Sequence, residues 1–243
     1  MMLSAFLILF STHALADGMV HALRLVPFGT TWSTRQALLY ATALCLFAIL
    51  LTGIWHWVLI LLFSLALAGC RLLVQSLALI PSSTYLSSQI VTVAIVGVTV
   101  SVYPTLSLAG PWREHSELIL AGCCYLSGVF VTLSIGGAAV ARLLHPYAKE
   151  VEFNGLKDGG QLIGFLERGL IFLFILSGQP AGIGFLLAAK AVMRFQANAA
   201  SAKEHEFVFI GTLASFGWAM AATWGTLAVL SIVVPLGIAP ETP

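Results

Sequence analysis

The chain has 243 residues, 59% of them hydrophobic and 9% charged, with a formal net charge of +1 and a mean hydropathy of +0.99. A soluble domain carries about 25% charged residues. Polar surface is too scarce here to cover a water-facing core, so lipid is the expected solvent. The near-zero charge, with no run of Lys or Arg, excludes a nucleic-acid partner.

A membrane span needs about 20 apolar residues, rising 1.5 Å each, to cross about 30 Å of hydrocarbon. The first candidate covers about 2–23. Its "HALADG" resembles a cleavage site, but no positive n-region precedes the apolar core, so it reads as a retained helix rather than a signal peptide. Pro27, Gly29 and the Thr/Ser run to Thr34 break it. The stretch from about Gln36 to Ile80 fits two spans with a turn near Gly53–His56, and Pro81-Ser-Ser-Thr84 closes the third. The fourth runs from about 85 to 109, with a kink expected at Pro104. The fifth runs from about 116 to 144, before the polar connection "HPYAKEVEFNGLKDGG" (145–160). The sixth and seventh, about 161–177 and 181–195, flank the turn "SGQPAG", and the eighth covers about 207–236.

The fold class is therefore all-α, a polytopic transmembrane helical bundle of about eight membrane segments. It divides into an N-terminal unit (1–144), a cytoplasmic polar connection (145–160) and a C-terminal unit with a charged hairpin (161–243). Positive charge orients it. With the N-terminus outside, Arg24, Arg35, Arg71, Arg142, Lys149, Lys157, Arg168, Lys190, Arg194 and Lys203 fall near the cytoplasmic side, and Arg113 falls outside. The positive-inside rule predicts this asymmetry and places both termini outside. Trp32, Trp55, Trp57 and Trp112 sit near span ends, as an aromatic belt does.

"IGFLER" (163–168), "IGFLLAAKAVMRF" (183–195) and "EFVFIGTLASFG" (206–217) follow one another in the C-terminal half. In order, spacing and residue type they resemble the C-terminal region of an uncharacterised bacterial membrane family, domain of unknown function 3307. Members there read IGxLER, IGFLxAAKSxxRF and EYxLIGTLxSF. That family's N-terminal half carries His-x-x-x-Asp-Phe-x-x-Gln. Here "HALADGMVH" keeps His13 and Asp17, while Gly18 and His21 stand in place of Phe and Gln. Tyr40 and Cys70-Arg71 stand where the family tends to show His and Asp. The resemblance implies a bacterial inner-membrane protein and no established activity.

Two groups of residues are candidates for chemistry. His13, Asp17 and His21 fall at i, i+4 and i+8, one polar stripe on the first helix. An i, i+4 pair can share a metal, but i and i+8 are about 12 Å apart along the axis. A metal would need ligands from other helices, such as His56 or Glu167. The alternative is a wet polar stripe at the outer interface, and no metal and no cofactor are expected. His56 between two tryptophans reads as an interfacial aromatic cluster, and "REHSE" (113–117) as a solvated outer patch. Cys45, Cys70, Cys123 and Cys124 lie in apolar runs without metal-finger spacing and read as packing thiols.

The second group is Glu167, Arg168, Lys190 and Arg194, charges inside an apolar hairpin. An isolated charge in hydrocarbon is expensive, so such residues pair, face a cavity or snorkel. Residues equidistant from the hairpin turn share a depth. Glu167 then lies between Lys190 and Arg194, within about 3 Å of each in depth. An ion pair is expected, shielded by the eighth helix around Gly211 and Thr212. Gly160-x-x-x-Gly164 and Gly184-x-x-x-Ala188 offer small-residue packing faces.

Three functions remain open: a membrane scaffold or assembly subunit, an ion or small-solute transport component, and a membrane-embedded metal-dependent hydrolase. The first is preferred, because no phosphate loop, nucleophile motif or HExxH occurs. The expected partners are the lipid bilayer and a membrane protein or second copy of the chain.

Overall fold

A computed structural model describes residues 2–22, 34–52, 56–77, 81–103, 106, 108, 110–148, 159–195 and 202–233. Every regular element among them is helical. In order these are α1 (Met2–Ala22), α2 (Thr34–Thr52), α3 (Trp57–Leu77), α4 (Pro81–Val102), a 3-10 turn (Gly110–Arg113), α5 (Ser116–Phe130), a π turn (Val131–Ile135), α6 (Gly136–Leu144), α7 (Gly159–Leu176), α8 (Ala181–Phe195) and α9 (Ala202–Val233). α5, the π turn and α6 run on as one span. That span and α1, α4, α7 and α9 are long and apolar enough to cross a membrane, whereas α2, α3 and α8 contribute shorter apolar stretches.

Several boundaries differ from the expectation. Pro81 opens α4 rather than closing α3. Its fixed φ and missing N–H suit the first helical position. α4 ends at Val102, well short of 109. Tyr103 precedes a proline and so disfavours the α region. Pro104 itself lies outside the described residues. α9 begins at Ala202, ahead of the expected 207, and takes in the polar residues 203–206. Lys203 is a good helix former, and Glu204 complements the positive end of the helix.

The α7–α8 turn follows from its sequence. Gly178 takes φ +68°. Its N–H donates to the Ile175 carbonyl at 3.1 Å, and the Gln179 N–H donates to the Phe174 carbonyl at 2.8 Å. This is the paired bonding of a Schellman cap, with Pro180 placed to prevent continuation.

The chain forms two compact units, which divide within α5 and α9 rather than at 145–160. One comprises the chain as far as Ser127 with the end of α9 from Val229; the other runs from Gly128 to Ala228. In the first, α1 packs on α2 and α4, and α3 packs on α2 and α4, closing a four-helix ring. Its core includes Ala5, Leu9, Ala16, Tyr40, Ala41, Leu44, Leu67, Ala68 and Val96. The alanines, being small, permit the helices to approach closely. In the second, Ile171 and Ile175 of α7, Ile183 of α8, and Phe216 and Ala219 of α9 form the core.

The glycine faces do not act as expected. A Cβ on Gly160 or Gly184 would meet nothing within 4 Å. Close packing falls instead at Gly182 against Phe174, Gly136 against Trp218 and Gly211 against Leu144.

Candidate functional site

α1 carries the first cluster. His13 and Asp17 lie one turn apart, and both are 0% exposed. This corrects the wet outer stripe: the side chains fill the centre of the four-helix ring. The side chain of His21 lies outside the described residues.

His13 reaches two helices. Its Nε2 lies 2.9 Å from Gln89 Oε1 on α4, and its Nδ1 lies 2.5 Å from Tyr40 Oη on α2. An amide oxygen can only accept, so Nε2–H donates to Gln89, and Nδ1 accepts the Tyr40 hydroxyl proton. Asp17 reaches the other two neighbours. Arg71 Nη1 on α3 lies 2.5 Å from its Oδ1, and the Tyr85 hydroxyl on α4 donates to its Oδ2 at 3.2 Å. The Arg71 guanidinium also covers the Tyr40 ring, 4.4 Å from its centroid, a cation–π contact strengthened by desolvation. Arg71 and Gln89 are each 3% exposed.

The helices place these groups at one level. His13 and Asp17 lie in the second half of α1 and Arg71 in the second half of α3, while Tyr40 and Tyr85 lie in the first halves of α2 and α4. In an up-down ring those halves share one end. The donor set does not fit a metal. Both nitrogens of His13 are engaged, and a cation at Asp17 would have to displace a guanidinium. No group of three His, Cys, Asp or Glu residues able to hold a metal occurs among the described residues.

The second cluster lies on α7. Glu167 and Arg168 are consecutive and both buried, about 100° apart around the helix. Glu167 faces α8, where Lys190 Nζ lies 2.7 Å from its Oε2. Arg168 turns elsewhere. Its Nη1 donates to Ser215 Oγ on α9 and its Nη2 to the Leu133 carbonyl, each at 3.2 Å. α9 therefore meets α7 through Ser215, while Gly211 faces Leu144 of α6. The side chain of Arg194 lies outside the described residues.

The Leu133 carbonyl belongs to the π turn. Trp218 Nε1 on α9 donates to a second carbonyl there, that of Val131, at 3.0 Å. A π turn tilts carbonyls away from the regular ladder and opens them to outside donors. The consecutive glycines that follow provide room for both donors. A Cβ at Gly136 would collide with the Trp218 indole, and one at Gly137 would lie 2.8 Å from Arg168 Nη2.

Tyr40, Arg71, Tyr85, Gln89, Ser215, Trp218 and the π turn were not among the candidates. Arg71 and Gln89 carried a signal: each is a long polar side chain within an apolar helix, and such residues imply partners. Of the other residues noted in the sequence, His115 and His145 are exposed, and the four cysteines form no disulfide among the described residues. The Trp112 indole N–H donates to the Leu50 carbonyl at 2.7 Å. Compared with models of known protein families, with curated proteins and with solved structures, the chain matches none.

Proposed function

We propose that the chain is a polytopic protein of the bacterial inner membrane, with about eight spans and both termini outside, acting as a scaffold or assembly subunit. The observation that carries this reading is the Asp17–Arg71 pair, 0% and 3% exposed, held in a web that ties all four helices of one unit together. Opposite charges cancel there, and the partners come from α1, α2, α3 and α4. Such a web fixes helix register. The charge asymmetry of the connections supports the orientation.

A second reading, an ion or small-solute carrier working through the α7–α8 hairpin, draws on Arg168, which has no acidic partner within ion-pair distance among the described residues. The hydrolase reading draws no support from His13 and Asp17, whose polar atoms are engaged by protein.

The test compares Asp17→Asn and Arg71→Met with the double variant, by thermal unfolding and size-exclusion chromatography in detergent. Each single change leaves a polar or charged group without its partner, and the double change removes both. The double variant should be more stable than either single one. A double variant no better than the singles would overturn the clamp. Ion flux through protein-containing vesicles above the protein-free background would put the carrier ahead. Cysteines placed at 113–115 should label from outside and those at 149–157 should not; the reverse would overturn the orientation.

A further inference from the structure

We propose that Arg168, with the hydroxyls of Ser215 and Thr132, forms a binding site for a small monovalent anion of the size of chloride. The charge balance is the first reason. Glu167 is taken by Lys190 at 2.7 Å, so the two cancel. Arg168 is 4% exposed and bonded to neutral acceptors, a hydroxyl and a carbonyl. Among the described residues one formal positive charge is left without an acidic partner of its own in a buried site, and a charge so placed calls for a counterion.

Unused donors are the second reason. A guanidinium has five N–H groups. Arg168 Nε is buried without a partner. Thr132, which precedes the Leu133 whose carbonyl Arg168 grips, is 0% exposed, and its hydroxyl also lacks a partner. In a regular helix a threonine hydroxyl bonds back to a carbonyl one turn earlier, as Thr212 and Thr223 do here at 2.7 and 2.6 Å. Thr132 lies in the π turn and makes no such bond. Ser215 accepts from Arg168, and its own proton has no acceptor among the described residues. The Arg168 Nε–H and two hydroxyl protons are donors without an acceptor among the described residues, the set a dehydrated anion requires.

Space and charge limit the ligand. Gly137 and Gly164 close two sides of the guanidinium. A Cβ on either would lie 2.8 Å from Nη2 or 3.1 Å from Nη1. Packing this close around the guanidinium favours a small ion over a phosphate group with its several oxygens, and a single excess positive charge matches a single negative one. The inference does not depend on the scaffold reading, because an anion held as a structural counterion and one in transit would occupy the same donors.

The experiment follows unfolding of the purified full chain in detergent while sodium chloride replaces sodium gluconate at constant ionic strength. Saturable stabilisation by chloride is expected, with bromide giving the same effect. Thr132→Val keeps the shape and removes one donor, and should raise the half-saturating concentration about tenfold. Arg168→Gln should abolish the response, while Glu167→Gln, which adds to the excess positive charge, should retain or strengthen it. Absence of a saturable chloride response in the unaltered chain would overturn the site. So would an unchanged response in Thr132→Val, which is decisive even if Arg168→Gln fails to fold.

Discussion

In the four-helix unit, Asp17 and Arg71 meet at 2.5 Å, and the buried formal charges described there cancel. In the α7 unit, Glu167 is matched by Lys190, whose side chain is 26% exposed, while Arg168 is held by neutral acceptors. The first arrangement is self-compensating in formal charge. The second, among the described residues, leaves a positive charge without an acidic partner and places it against a distorted helical turn. Burial alone therefore does not say what a charge in an apolar helix is for. What distinguishes the two, among the described residues, is whether the buried arginine has an acidic partner.

Arginine removal should break this comparison most sharply. Arg71→Met strips a fully buried carboxylate of its partner and should cost about 3–5 kcal/mol. Arg168→Met removes a charge that had no acidic partner, along with two bonds to neutral acceptors. Measured by unfolding in gluconate, its loss should stay below about 2 kcal/mol. Equal losses would show that the two sites are alike.

The next effect sharpens the role of the π turn. Gly136→Ala puts a methyl group into the Trp218 indole, which is held in place by its bond to Val131. Such overpacking should cost about 1–3 kcal/mol. Gly136→Ala combined with Trp218→Phe should recover part of that, because the smaller ring gives way. If Gly136→Ala alone is harmless, the indole is not fixed there.

How far the sequence reaches can be judged residue by residue. α1, α7 and α8 were legible because apolar length sets their extent and Gly178-Gln179-Pro180 marks the turn. The nearness of Glu167 and Lys190 was legible too, since a short turn fixes depth on both arms. The start of α9 was misplaced because polarity was taken as the end of a helix, whereas Lys203 and Glu204 are compatible with one. The central cluster was half legible. His13 and Asp17 share a face by spacing, but Tyr40, Arg71, Tyr85 and Gln89 come from three other helices, and one chain's periodicity does not give the rotation of one helix against another. The π turn has no local signature in "VFVTLSIGG"; its cause lies in Arg168 and Trp218, 35 and 87 residues away from the carbonyls they bind.

A smaller effect is expected at the hairpin pair. Glu167→Ala leaves Lys190 without its partner, but a half-buried lysine can swing its ammonium toward the interface. The loss should be about 1–2 kcal/mol, below that of Arg71→Met. Adding Lys190→Met should restore most of it. If the double change is as damaging as the single one, Glu167 is held by something other than Lys190.

The smallest effect tests the glycines that looked like packing faces. Gly160 and Gly184 are exposed within this chain, and an added Cβ would touch nothing. Glycine is a poor helix former because its backbone is freer in the unfolded state. Gly160→Ala and Gly184→Ala should therefore leave stability unchanged or raise it by up to about 1 kcal/mol. Gly182→Ala is the control: its Cβ would lie 2.8 Å from the Phe174 ring, so it should lower stability. The same variants also bear on a second copy of the chain. A small-residue face that is open within one chain can be closed by another. Size-exclusion chromatography of Gly160→Ala in detergent reports on that directly. An unchanged elution position is expected if the face meets lipid. A shift to a smaller species, with unfolding unaffected, would place a helix of a neighbouring chain on α7 beside the uncompensated arginine, and the contrast between the two clusters would then have to be redrawn with that neighbour included.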